Sequence, residues 1–65
     1  MKNFGIRLKK LREERGLAVE KLANELKLTA FSILMWEKDK RVFSLKVLIK
    51  LAKYFNVTID YLLGL

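Results

Sequence analysis

Apolar residues near the start of the chain recur at the spacing of an α-helix. Phe4, Leu8 and Leu11 follow the i, i+4, i+7 pattern that places side chains on one helix face. Gly16 then stands where a helix can end in the left-handed conformation, which glycine adopts without steric cost. This pattern predicts a first helix over about residues 3–15.

Further apolar stripes predict four more helices. Their members, in chain order, are Leu22, Ala23 and Leu26; Ile33 and Trp36; Leu45, Leu48, Leu51, Ala52 and Phe55; and Ile59, Leu62 and Leu63. The last three helices follow hydroxyl residues that can cap a helix N-terminus, namely Thr29, Ser44 and Thr58. Asn56 is a plausible stop for the fourth helix. Short helices with connections of a few residues predict a compact all-α domain.

The third predicted helix is apolar on both sides. Residues 29–36 carry no charge, and Ile33 and Trp36 fall on one side of a helical wheel. The opposite arc holds Ala30, Phe31, Leu34 and Met35. An apolar stripe most often belongs to a core, but one short helix in so small a domain cannot be buried on both sides. The second arc therefore needs a partner of its own.

Composition limits the possible classes of protein. A chain of 65 residues makes a single domain, 1–65, and its lack of Cys and His excludes disulfides and the usual zinc ligand sets. We expect no cofactor, no metal and no enzyme activity, because the chain has no glycine-rich phosphate loop and no paired-carboxylate pocket. It has no signal-peptide region or membrane-length apolar run, so the expected location is cytoplasmic if the protein is natural.

The formal charge of +7 is compatible with nucleic acid as a partner, and equally with solvated basic faces. Basic residues concentrate in the first helix and around Asp39, where Lys38, Lys40 and Arg41 lie. Charge alone does not separate the two interpretations.

The motifs taken in order resemble the lambda-repressor/Cro type of helix-turn-helix domain. They are Arg12 before Gly16 and Leu17, residues 20–23, residues 26–29, Ile33 with Trp36 and Glu37, Arg41 and Ser44, residues 48–52, and residues 56–63. The resemblance covers nearly the whole chain. It implies a compact five-helix, lambda-repressor-like helix-turn-helix fold.

The resemblance also assigns roles to residues. In the family, the residues at the positions of Arg12 and Glu37 pair and tie helix 1 to helix 3. The family reads DNA by laying helix 3 in the major groove, where polar side chains contact base edges. Those positions here are Ala30, Phe31, Leu34 and Met35, and none of these side chains can form such a hydrogen bond.

Other departures from the family fall on the same surface. Val19 replaces a glutamine that reaches a phosphate, and Val42 and Phe43 are apolar replacements after helix 3. Lys27 and Asp39 stand where glycine is frequent. The residues that maintain the fold match the family pattern, whereas the residues that would face DNA are replaced. The replacements therefore lie on one surface.

This distribution predicts an engineered module in which the former recognition helix, residues 29–37, and the adjacent loop bind another protein. The predicted face comprises Val19, Ala30, Phe31, Leu34, Met35, Val42 and Phe43. Lys38, Lys40, Arg41 and Lys46 would form a basic rim that favours a partner with acidic edges.

Two alternatives remain. A sequence-specific DNA-binding transcriptional regulator would use Lys40, Arg41 and Lys46 for phosphate contacts with double-stranded DNA. A homodimer would place helix 3 against its own copy across a two-fold axis.

Overall fold

The computed structural model describes residues 2–65, which form five α-helices without any strand. The helices are α1 (Lys2–Glu14), α2 (Val19–Leu26), α3 (Ala30–Glu37), α4 (Leu45–Phe55) and α5 (Ile59–Leu63). The all-α, five-helix prediction is therefore confirmed, and the predicted bounds of helix 1 differ from those of α1 by one residue at each end.

The predicted helix starts are confirmed by hydrogen bonds. The hydroxyl of Thr29 accepts a bond from the backbone N–H of Ser32, and Ser44 and Thr58 accept equivalent bonds at the starts of α4 and α5. Each cap satisfies a backbone donor that the first helical turn leaves unpaired. Helix α2 begins after Ala18, which has no side chain able to supply such a bond.

The core is built from the predicted apolar stripes. Its buried members are Phe4, Leu8, Leu11, Leu22, Ala23, Ile33, Trp36, Leu48, Leu51, Ala52, Phe55 and Leu62. Helix α1 packs against α3 and α5, and α2 packs against α3. Only one side of α3, carrying Ile33 and Trp36, is buried.

Three residues other than glycine adopt left-handed conformations at or just after the end of a helix. Lys27 ends α2 with φ 57°, and Asp39 has φ 55° just after α3. At the first of these, the backbone N–H of Leu28 donates to the carbonyl of Ala23 at 2.9 Å, which is the long bond of a Schellman motif. These are the two positions where the resemblance implies glycine, and positive φ is the physical reason. Asn56, the predicted stop of α4, is also left-handed.

Helix α1 crosses the end of α3 at very short range. A methyl group placed on Gly5 would lie 2.6 Å from the carbonyl oxygen of Trp36 and 2.7 Å from that of Glu37. Both oxygens belong to the backbone of α3 and cannot rotate away. Gly5 is therefore required by the close approach of the two helices.

We predict that Gly5→Ala lowers the free energy of unfolding by about 1–3 kcal/mol, because the added methyl forces α1 and α3 apart. This loss opposes the higher helix propensity of alanine. Urea unfolding followed by circular dichroism measures the change. Lys10→Ala, at an exposed position of the same helix, is the control and should shift stability by less than about 0.5 kcal/mol.

We predict that Lys27→Gly raises the free energy of unfolding by about 1 kcal/mol, because glycine adopts the left-handed conformation without the steric cost of a β-carbon. Lys21→Gly, inside α2 and also exposed, should lower it by about 1 kcal/mol. The same unfolding measurement applies to both variants. Equal destabilisation by the two substitutions would contradict the assigned conformational strain at Lys27.

Candidate nucleic-acid interface

Arg12 and Glu37 form a partly buried ion pair between α1 and the end of α3. Arg12 Nε donates to Glu37 Oε2 at 2.7 Å, and Nη2 donates to Oε1 at 3.1 Å. Nη1 donates to the carbonyl oxygen of Leu17 at 2.8 Å, in the connection to α2. The side chains are 12% and 4% exposed, respectively. One guanidinium therefore ties together α1, the start of the helix-turn-helix unit and the end of α3.

The Arg12 guanidinium stays charged in this pair. The hydrogen bond to Glu37 raises the pKa of Arg12 above its already high ordinary value, against the opposing effect of burial. Because the planar guanidinium makes two parallel bonds to the carboxylate, it restricts the angle as well as the distance between α1 and α3.

Backbone and indole hydrogen bonds hold the loop after α3 against that helix. The backbone N–H groups of Asp39 and Lys40 donate to the carbonyls of Trp36 and Met35 at 3.1 and 2.8 Å, which completes a second Schellman motif. The indole N–H of Trp36 donates to the carbonyl of Val42 at 3.1 Å. Trp36 thus contributes its ring to the core and its N–H to the loop. The loop and the outer face of α3 form one continuous surface.

The predicted apolar face is only partly exposed. Phe31, Leu34 and Val42 are exposed, at 62%, 39% and 90% of their full areas. Met35 is half-buried. The outward-facing part of α3 thus consists chiefly of Phe31 and Leu34, with Met35 beside them.

Three of the predicted face residues instead help to cover the core. Val19, Ala30 and Phe43 are half-buried and pack against core residues. The ring of Phe43 stacks on that of Phe4, with centroids 4.1 Å apart. The loop brings Phe43 back onto α1, so only part of its ring is available to a partner.

The sequence pattern did not predict the polar contacts of Ser32 on α3. The hydroxyl of Thr29 donates to Ser32 Oγ at 2.8 Å, and Arg41 Nη1 donates to the same oxygen at 3.1 Å. This contact places the guanidinium of Arg41 beside the first turn of α3. The i, i+3 spacing of Thr29 and Ser32 is compatible with the bond between their hydroxyls and could have predicted it. The contact of Ser32 with Arg41 depends on the loop conformation and could not.

Exposed cations surround this surface. Lys38, Lys40 and Arg41 lie in the loop, Lys46 lies in the first turn of α4, and all four are exposed. The ion pairs within residues 2–65 join other residues, Arg12 with Glu37 and Lys21 with Glu25. Within that range the four cations are not engaged in these ion pairs and are available to an anionic partner.

Other kinds of site find no support in residues 2–65. Over that range, no group of three or more His, Cys, Asp or Glu residues is arranged to hold a metal ion. None of the helices described there combines the length and apolar character that crossing a membrane requires.

The fold and this surface define a helix-turn-helix domain, in which α2 and α3 are the two helices of the motif. A comparison with protein families matches residues 5–65 to the family described as "Helix-turn-helix domain". The chain therefore belongs to the helix-turn-helix family, of the lambda-repressor/Cro-like type.

A curated relative supports the same assignment. The chain is 34% identical over 62 residues to the HTH-type transcriptional regulator ImmR of Bacillus subtilis (strain 168). The match covers 95% of this chain and 49% of the relative, so the chain spans about half the length of the curated relative it matches.

These comparisons correct the function predicted from the apolar face. The prediction of a designed module that binds another protein's surface is wrong, because the family match and the transcriptional regulator favour the DNA-binding alternative. The apolar composition of α3 indicates an unusual contact surface, but it does not by itself identify a protein partner.

We predict that Glu37→Ala lowers the free energy of unfolding by about 3 kcal/mol, because it leaves the Arg12 charge partly buried without its partner. The double variant Arg12→Met/Glu37→Leu should lose much less, since it removes both charges. Urea unfolding of Arg12→Met, Glu37→Leu and the double variant gives the coupling energy. Lys21→Ala, which breaks an exposed pair, is the control and should cost less than about 0.5 kcal/mol. Additive losses at Arg12 and Glu37 would contradict the coupling.

Proposed function

We propose that this chain is the DNA-binding domain of a transcriptional regulator and that it places α3 in the major groove of double-stranded DNA. The observation that carries the proposal is the exposed outer face of α3, next to a loop of exposed cations on a helix-turn-helix scaffold. The similarity to a transcriptional regulator supports the regulatory role.

Phosphate contacts supply most of the affinity in this proposal. Lys38, Lys40, Arg41 and Lys46 are the candidate contacts, because they are exposed and follow α3 in the loop and in the first turn of α4. The N-terminus of α4 adds unpaired backbone N–H groups near Lys46, and such groups favour anions. The contact with Ser32 limits the movement of Arg41 and so reduces the entropy lost on binding.

The proposal needs no enzyme activity, cofactor or membrane, and it places the protein in the cytoplasm with the DNA. The homodimer that would place helix 3 against its own copy stays a prediction, and it would compete with entry of α3 into the groove.

We predict that binding to double-stranded DNA weakens about a hundredfold between 50 and 200 mM salt, because four phosphate contacts release four condensed counterions. Lys46→Gln should reduce the slope of log K against log salt by about 0.9. Fluorescence anisotropy with labelled duplexes measures both quantities.

Lys53→Gln is the matched control, because it removes one exposed lysine from α4 outside the proposed contact set. Its slope should remain that of the unchanged protein. Equal slopes for Lys46→Gln and the unchanged protein would remove Lys46 from the contact set. Absence of DNA binding at 50 mM salt would overturn the proposed function.

A further inference from the structure

The outer face of α3 lacks the side-chain groups that ordinarily distinguish base pairs. Ala30, Phe31, Leu34 and Met35 offer no hydrogen-bond donor and no more than a weak thioether acceptor. Each base edge in the major groove presents donors and acceptors, and thymine alone adds a methyl group. That methyl is the chemical feature of the groove that an apolar side chain can recognise.

We propose that α3 selects DNA by apolar contact with the 5-methyl groups of thymine, so that its site contains A·T pairs where α3 enters the major groove. This inference rests on the proposed function and specifies the class of DNA sequence that the same surface binds. Phe31 and Leu34 make the main contacts, since they are the exposed members of the face.

The length of the face limits how many base pairs it can read. Residues rise about 1.5 Å each along a helix, so Ala30 and Met35 are about 7.5 Å apart along the axis of α3. Successive base pairs are separated by about 3.4 Å. The face therefore reaches about three consecutive base pairs, and a short A·T run is the expected recognition element.

Charge complementarity favours DNA as the occupant of this face. Residues 29–36 contain no acidic group, and the exposed cations Lys38, Lys40, Arg41 and Lys46 follow α3 in the loop and in the first turn of α4. The major groove has the matching arrangement, with apolar methyls on its floor and phosphates along its edges. The contact with Ser32 holds Arg41 at the side of the first turn of α3.

The first experiment identifies the sequence. Selection from a library of duplexes with a randomised central segment of about 20 base pairs, at moderate salt, should enrich a run of two or three A·T pairs. Anisotropy titrations then compare the selected duplex with one in which deoxyuridine replaces thymidine within that run. This replacement removes only the methyl groups and leaves the charge and the hydrogen-bonding edges unchanged.

We expect each lost methyl to weaken binding about fourfold, as removal of one buried apolar carbon would. A third duplex carries 5-methylcytosine paired with guanine at the same position, and a fourth carries unmodified cytosine. The methylated duplex should bind more tightly than the unmodified one by a similar factor. In each comparison the two duplexes differ by a methyl group and present the same hydrogen-bond donors and acceptors.

A protein variant assigns the effect to α3. Phe31→Ala should reduce the ratio between the thymidine and deoxyuridine duplexes towards one. Ile6→Ala is the matched control, because Ile6 is 65% exposed on α1 against 62% for Phe31 on α3. It should leave the ratio unchanged, and circular dichroism checks that both variants remain folded.

The outcomes separate this inference from the function on which it depends. Sequence-selective binding with equal affinity for thymidine and deoxyuridine duplexes would overturn methyl recognition and leave the DNA-binding proposal intact. A methyl preference that survives Phe31→Ala and Leu34→Ala together would overturn the assignment to α3. Failure to bind any duplex, with binding of another protein through α3, would overturn both proposals.

Discussion

The ion pair between Arg12 and Glu37 is the constraint on which the arrangement of α3 depends. It joins α1 to the last residue of α3, and the third guanidinium nitrogen binds the carbonyl of Leu17 before α2. A buried pair of this kind adds little net stability, because desolvation offsets most of the attraction. Its effect is to allow one orientation of α3, since a rotated helix would leave both charges buried and unpaired.

The size of the domain then determines which face of α3 is free. With Ile33 and Trp36 inside, the opposite face has no further layer of protein to cover it. Trp36 also holds the following loop through its N–H bond to Val42. Because Trp36 is fixed in the core, its bond to Val42 sets the position of the loop in which Lys40 and Arg41 lie.

Local sequence patterns predicted the fold well but predicted the contact surface only in part. Stripes and caps such as Thr29 and Ser44 depend on neighbours within a few residues, so their spacing is sufficient. Phe43 stacks on Phe4 from a distant part of the chain, and a helical wheel contains no information about such a contact. The contact of Arg41 with Ser32 likewise depends on a left-handed residue in the loop, Asp39. The composition of an apolar face does not select its partner, because apolar side chains can contact a protein surface as well as thymine methyls.

An apolar face beside cations would divide DNA binding into two physically different contributions. Contacts between the cations and phosphates are independent of sequence and weaken as salt screens them. Contacts between Phe31 or Leu34 and thymine methyls would depend on sequence and involve no charge. Salt would therefore weaken binding to all duplexes by a common factor while leaving the ratio between them nearly unchanged. In such a domain the cations set how tightly DNA is held, and the apolar side of α3 sets which sequence is preferred.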